Sequence, residues 1–97
     1  MHYLYILFSP ISDIYFTGYS EDPKARLIEH NNTEEGTFFS KHEPWEIKAL
    51  FEAGTKADAI NFERFIRKHR TPKLIAKLID PDYVMDGTLA KLVRVKE

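Results

Sequence analysis

The chain predicts an α+β domain: a small three-stranded antiparallel sheet flanked by helices, in the order β-β-α-β-α-α. Three observations carry that prediction. Tyr, Leu, Ile and Phe fill residues 2–8 and 14–19 on either side of the turn-forming stretch Ser9-Pro10-Ile11-Ser12-Asp13, the pattern of a β-hairpin. Asp22-Pro23 and Thr55-Lys56-Ala57-Asp58 each open a segment with helical spacing. Between those helices, Trp45, Ile47, Ala49 and Phe51 alternate with Glu46, Lys48, Leu50 and Glu52, which is mostly the period of a strand.

Taken in order, the first strand is apolar on both its Tyr3, Tyr5, Leu7 face and its Leu4, Ile6, Phe8 face, so it is expected to be central and covered on both sides. Gly18 inside the second strand points to close approach by another group. Asp22 caps the first helix, Ala25, Leu27 and Ile28 continue it, and Asn31-Asn32 stops it; residues 32–43 read as a loop. The helix opened by Thr55, with Asp58 in place of the usual Glu of a capping box, runs to about Arg70, and Thr71-Pro72 starts another that ends before Pro81. Residues 1–81 are thus the domain. Residues 82–97 form a tail, packed on it or mobile, in which Asp86-Gly87 is a turn and 88–95 fit helix and strand equally well.

With 97 residues, 43% apolar and 13% aromatic, there is one modest core and no room for a second domain. The absence of cysteine rules out disulfides and thiolate metal sites, and His2, His30, His42 and His69 lack zinc-ligand spacing. The apolar run Tyr3 to Phe8 has neither a charged lead nor a small-residue cleavage site, and no stretch is long enough to cross a bilayer, so a cytoplasmic protein is expected. A net charge of −1 argues on its face against an acidic partner. Its distribution argues otherwise: the first 55 residues carry −5 and the remainder +4, and Arg64, Arg67, Lys68, Arg70, Lys73 and Lys77 follow one another without an intervening acid. Such a run can pair with phosphates or simply form a solvated helix face.

Four residues stand out chemically. Glu63 shares a helical stripe with Ala59, Phe62 and Ile66, where a carboxylate needs a partner; a divalent metal and Arg67, one turn later, are the two candidates. Arg26 and His30 lie four apart on one helix face and can reach the same ligand, and a phosphate suits the pair. Tyr5, on the same strand face as Tyr3, carries a hydroxyl that needs a hydrogen-bond partner; with a reference pKa near 10 it would require a nearby cation to act as phenolate.

In this order and spacing the residues resemble the GIY-YIG nuclease superfamily, most closely its small stand-alone bacterial members, over roughly residues 3–79. Tyr3-Leu4-Tyr5-Ile6-Leu7 is similar to the first motif, and Phe16-Thr17-Gly18 occupies the second, where the family usually has tyrosine, a variable residue and glycine. Ala25-Arg26-Leu27 with Glu29-His30-Asn31, then Pro44-Trp45-Glu46-Ile47, then Ala59 with Glu63 complete the match. The resemblance implies a domain that hydrolyses a phosphodiester bond in DNA with one Mg²⁺ or Mn²⁺, as in repair or recombination. Glu63 would ligate the metal, Arg26 would hold the scissile phosphate, Tyr5 would activate or orient the attacking water, and His30 would assist that proton transfer. Tyr3, Tyr19, Lys41, Arg67, Lys68, Arg70 and Lys73 are the expected nucleic-acid contacts. Nothing in the sequence excludes RNA, and no further cofactor and no membrane partner are expected. The chain departs from the pattern at Phe16, which lacks the second-motif hydroxyl, and at Tyr19, where some relatives carry lysine. Tyr15 is adjacent but points to the other face of the strand. A catalytically impaired nucleic-acid-binding module is therefore the alternative, and an interaction domain the third reading.

Overall fold

Apolar runs on both sides of a short turn do produce a hairpin: β1 (His2–Ser9) pairs antiparallel with β2 (Ile14–Ser20), Leu4 opposite Tyr19 and Tyr5 opposite Gly18. Asp13 N donates to Ser9 O at 2.8 Å and closes the turn. The computed structural model describes residues 1–96. In it β1 also pairs with β3 (Glu46–Gly54), so the doubly apolar strand is interior, as its two faces require.

The sheet has four strands rather than three. Val93–Arg94 forms β4, antiparallel to β3 through Glu52–Val93 and Phe51–Arg94, and the order is β2-β1-β3-β4. A two-residue strand has no period to read, so residues 88–95 fit helix and strand equally well in the sequence. Its packing is definite: Leu89 and Leu92 are buried in the core, Val95 N donates to Leu50 O at 2.8 Å, and Arg94 donates to Leu78 O at 2.8 Å. Burying each leucine contributes about 1.5–3 kcal/mol.

A second correction concerns β3. Ile6 lies opposite Ala49 but Leu7 opposite Ile47, so β3 carries one extra residue, Lys48, against β1. This bulge exchanges faces: Ala49 and Phe51 join Leu4 and Ile6 in one core, whereas Ile47 and Trp45 join Tyr5 and Leu7 in the other. A straight strand would have put all four alternating residues on one side.

Helices cover the two faces. α1 (Pro23–His30), capped by Asp22 accepting from Ala25 N, supplies Leu27 to the Tyr5 side; α2 (Phe38–Lys41), a single turn capped by Thr37 inside the stretch expected as loop, supplies Phe39. α3 (Lys56–Lys68) and α4 (Pro72–Ile79) cover the Leu4 side with Ala59, Phe62, Ile66, Ile75 and Leu78. The Thr55–Asp58 capping box closes in both directions, at 3.0 and 3.1 Å. Among the described residues no helix is long and apolar enough to cross a membrane. Because β2 is an edge strand, side chains from both layers can meet around it, and there the chemistry-bearing residues collect.

Candidate active site at the edge of the sheet

Tyr5 is 2% exposed, and its ring lies across Gly18 of the neighbouring strand: a Cβ at Gly18 would stand 2.6 Å from the Tyr5 hydroxyl. This is the close approach that a glycine in mid-strand implied. The hydroxyl is 3.4 Å from His30 Nε2, on the last turn of α1. Burial pushes the Tyr5 pKa above its ordinary value; the Arg26 guanidinium, which favours the phenolate, offsets this only in part. His30 moves the other way. Its burial first, and the charge of Arg26 second, lower its pKa, so the imidazole is neutral at pH 7. Phe39 lies 3.9 Å from the His30 ring, centroid to centroid, and provides much of the dry surface.

Two features hold that helix end. Asn31 accepts from Trp45 N at 2.6 Å and donates to Trp45 O at 3.0 Å, tying the end of α1 to the start of β3. Phe16 meets His30 edge-on at 5.8 Å and Phe39 at 5.0 Å; without the expected hydroxyl it contributes packing to the wall.

On α3 the Glu63 side chain is only 14% exposed, with Arg67 Nη1 3.6 Å from its Oε1, beyond hydrogen-bond length. The sequence grouped Glu63 with Ala59, Phe62 and Ile66. The helix instead turns those three into the core and presents Ile60, Glu63, Arg64 and Arg67, spaced three, four and seven residues on, as one stripe along a cavity.

That cavity has a volume of about 470 Å³ and is lined by all four singled-out side chains, Tyr5, Arg26, His30 and Glu63. Phe16, Gly18 and Phe39 contribute from one sheet face, Thr17, Tyr19 and the α3 stripe from the other. Three arginines, Arg26 from the acidic half of the chain and Arg64 and Arg67 from the basic half, stand against one carboxylate on its wall, so the local charge is positive. A larger hollow of about 580 Å³ beside α4 is lined mainly by Tyr15, Pro72, Ile75, Ala76 and Ile79 and includes none of the four.

Of the expected nucleic-acid contacts, Tyr19 and Arg67 line the cavity. Arg70 lies in a side arm of it, hydrogen-bonded to Tyr15 O at 2.6 Å. Tyr3 packs on the Tyr5-side core, and Lys41, Lys68 and Lys73 are exposed away from the cavity. Thr17, Phe39 and Ile60 carry no expected role, and Arg64 enters the sequence reading only as the first residue of the basic run. Arg64 was readable from its place one residue after Glu63 on the same stripe, whereas nothing local marks Thr17.

Glu63 is the one carboxylate on the cavity wall, and among the described residues no group of three His, Cys, Asp or Glu could enclose a metal ion. A single carboxylate beside open space nonetheless fits Mg²⁺ or Mn²⁺, which take oxygen ligands; Mg²⁺ in particular keeps several waters and draws further oxygens from a substrate phosphate. Thr17 Oγ1, buried with no hydrogen-bond partner, is a further oxygen on this wall.

No curated protein matches the chain. The GIY-YIG catalytic domain, in contrast, matches residues 1–76 of the 97. That span includes β1 to α3 and every residue lining the cavity. With a motif tyrosine on its central strand, a glycine beneath it and a nuclease-type α+β fold, the chain belongs to the GIY-YIG family.

Proposed function

We propose that the protein is a divalent-metal-dependent endonuclease that hydrolyses phosphodiester bonds in DNA, with selectivity for branched or otherwise distorted structures. The observation that carries this reading is the common cavity: Tyr5, Arg26, His30 and Glu63, from three separate elements, line one open space whose wall is net positive.

Arg26 is always cationic and about half exposed, held by Glu29 at 3.1 Å, and offers its fork of donors to the scissile phosphate. Tyr5 keeps its proton at neutral pH, so it is not a pre-formed phenolate base. It acts with His30. As the attacking water forms its bond to phosphorus, its proton passes to the Tyr5 oxygen while the Tyr5 proton passes to neutral His30 Nε2, 3.4 Å away. The bond from phosphorus to the leaving oxygen breaks, and that oxygen takes a proton from solvent. Glu63, with Thr17 nearby, would hold the cation, and the bound cation supplies a Lewis acid that offsets charge on the phosphate and the leaving oxygen. Phe16, Phe39 and Trp45 keep bulk water from the relay.

The test is incubation of branched, flap and single-stranded DNA with Mg²⁺ or Mn²⁺, for wild type and Glu63→Ala. Cleavage that the variant loses supports the reading; equal turnover by both removes it. Phe16 favours a second reading, a nucleic-acid-binding module on the same scaffold, which predicts salt-sensitive binding without product. Phe16→Tyr separates them. A marked gain in cleavage indicates an impaired site, and an unchanged rate in a protein that cleaves means that the second-motif hydroxyl is dispensable.

A further inference from the structure

The cavity has an extension that the function above leaves unused. An arm of about 220 Å³ is lined by Phe16, Thr17, Glu63, Arg67 and Arg70, four of which also line the main cavity. It therefore adjoins the space in which the scissile phosphate is proposed to sit, sharing four residues of its wall. Arg70 is fixed at its far end by the bond to Tyr15 O. Arg67 stands at the junction, 69% exposed, facing Glu63 across 3.6 Å. An ion pair so long and so exposed on one side is weak. The arrangement is also incompletely satisfied: Thr17, 9% exposed, has its Oγ1 buried without a partner on the same wall as the carboxylate.

We infer that the arm is a second phosphate subsite, for a backbone phosphate neighbouring the scissile one, and that a phosphate there draws Arg67 off Glu63 and so releases the carboxylate for the divalent cation. The inference rests on the reading of Glu63 as metal ligand. Arg67 cannot neutralise Glu63 and a phosphate at once, and a doubly ligated phosphate between Arg67 and Arg70 outcompetes one loosely paired carboxylate. Nucleic acid and cation then bind with positive coupling, each raising the other's affinity by the same factor.

Mn²⁺ titrated into the full chain without nucleic acid, followed by paramagnetic broadening of the Glu63 amide NMR signal, tests the release. Arg67→Gln should bind Mn²⁺ about two- to fivefold more tightly than wild type, the range of a weak ion pair removed. Arg64→Gln removes a cation from the same wall without touching the Glu63 pair, and should give less than half that gain. In EDTA, Arg67→Gln and Arg70→Gln should each weaken binding of a short single-stranded oligonucleotide and lower its salt slope by about 0.7 to 1. Equal Mn²⁺ gains in the Arg64 and Arg67 variants overturn the release, and salt slopes unchanged in both the Arg67 and Arg70 variants overturn the subsite. Glu63→Gln distinguishes the deeper failure: if it binds Mn²⁺ as wild type does, Glu63 is not the ligand and the proposed function falls with this inference. If it loses Mn²⁺ while Arg67→Gln binds as wild type does, only the exchange is overturned.

Discussion

Replacing Gly18 with alanine puts a methyl group 2.6 Å from the Tyr5 hydroxyl, 2.7 Å from Cζ and 2.9 Å from Cε1. Ordinary contact between such atoms is about 3.5–4.0 Å, so the ring must move by roughly an ångström. It has nowhere easy to go: Tyr5 is buried in the central strand, with Leu7, Trp45 and Leu50 in the same cluster. Overpacking of this kind costs about 1–3 kcal/mol, against which alanine recovers about 0.5–1 kcal/mol of glycine's conformational entropy, leaving a net loss of about 1–2 kcal/mol. Urea denaturation of Gly18→Ala measures it. The decisive comparison is a double-mutant cycle with Tyr5→Leu, in which the aromatic ring is gone. In that background Gly18→Ala should be neutral or stabilise by up to about 1 kcal/mol, giving a coupling of about 1–3 kcal/mol. Equal effects of Gly18→Ala in the two backgrounds would refute the argument that the glycine is there for the tyrosine.

Asn31→Ala should destabilise by about 1–3 kcal/mol, since it strands both Trp45 backbone groups that the side chain now pairs; a chemical-denaturation midpoint unchanged from wild type would contradict this. Phe39→Ala should raise the His30 pKa toward 6.5 by exposing the ring, read from its imidazole proton shifts against pH, and no movement would show that the phenyl does not shield it. Because the folded-state pKa of His30 is depressed, its contribution to stability is present above about pH 6.5 and is lost as pH falls through the lowered value, and Phe39→Ala should flatten that acid limb. Thr17→Val exchanges an unpaired buried hydroxyl for a methyl, so stability should hold or rise by up to about 1 kcal/mol; a loss above that would mean that the hydroxyl is paired in solution.

The elements with strong local signals were legible. The hairpin with its turn, the Asp22 and Thr55 caps and the doubly apolar first strand needed no tertiary information, because turn chemistry, capping and burial are each written within a few residues. Gly18 announced a neighbour that proved to be Tyr5. What was not legible depends on pairing. The bulge at Lys48 follows from the register against β1, and β4 exists only because β3 offers a free edge to two residues that carry no pattern of their own. In the site, Glu63 is conspicuous because an acid beside Phe62 and Ile66 is anomalous, but the helix turns it one position away from that stripe, which places Arg64, legible only as part of a basic run, on the cavity beside it. Thr17 has no anomaly in the sequence; its unpaired hydroxyl arises only when β2 becomes an edge and α3 packs over it.

The most direct measurement is single-turnover cleavage of labelled DNA in Mg²⁺ by wild type and Glu63→Gln, an uncharged replacement of nearly the same size at a mostly buried side chain. Loss of the charged ligand should slow the reaction by about a hundredfold or more, on the order of 2–4 kcal/mol of transition-state stabilisation, while the protein stays folded and still binds the DNA. Cleavage by Glu63→Gln at the wild-type rate would contradict the account.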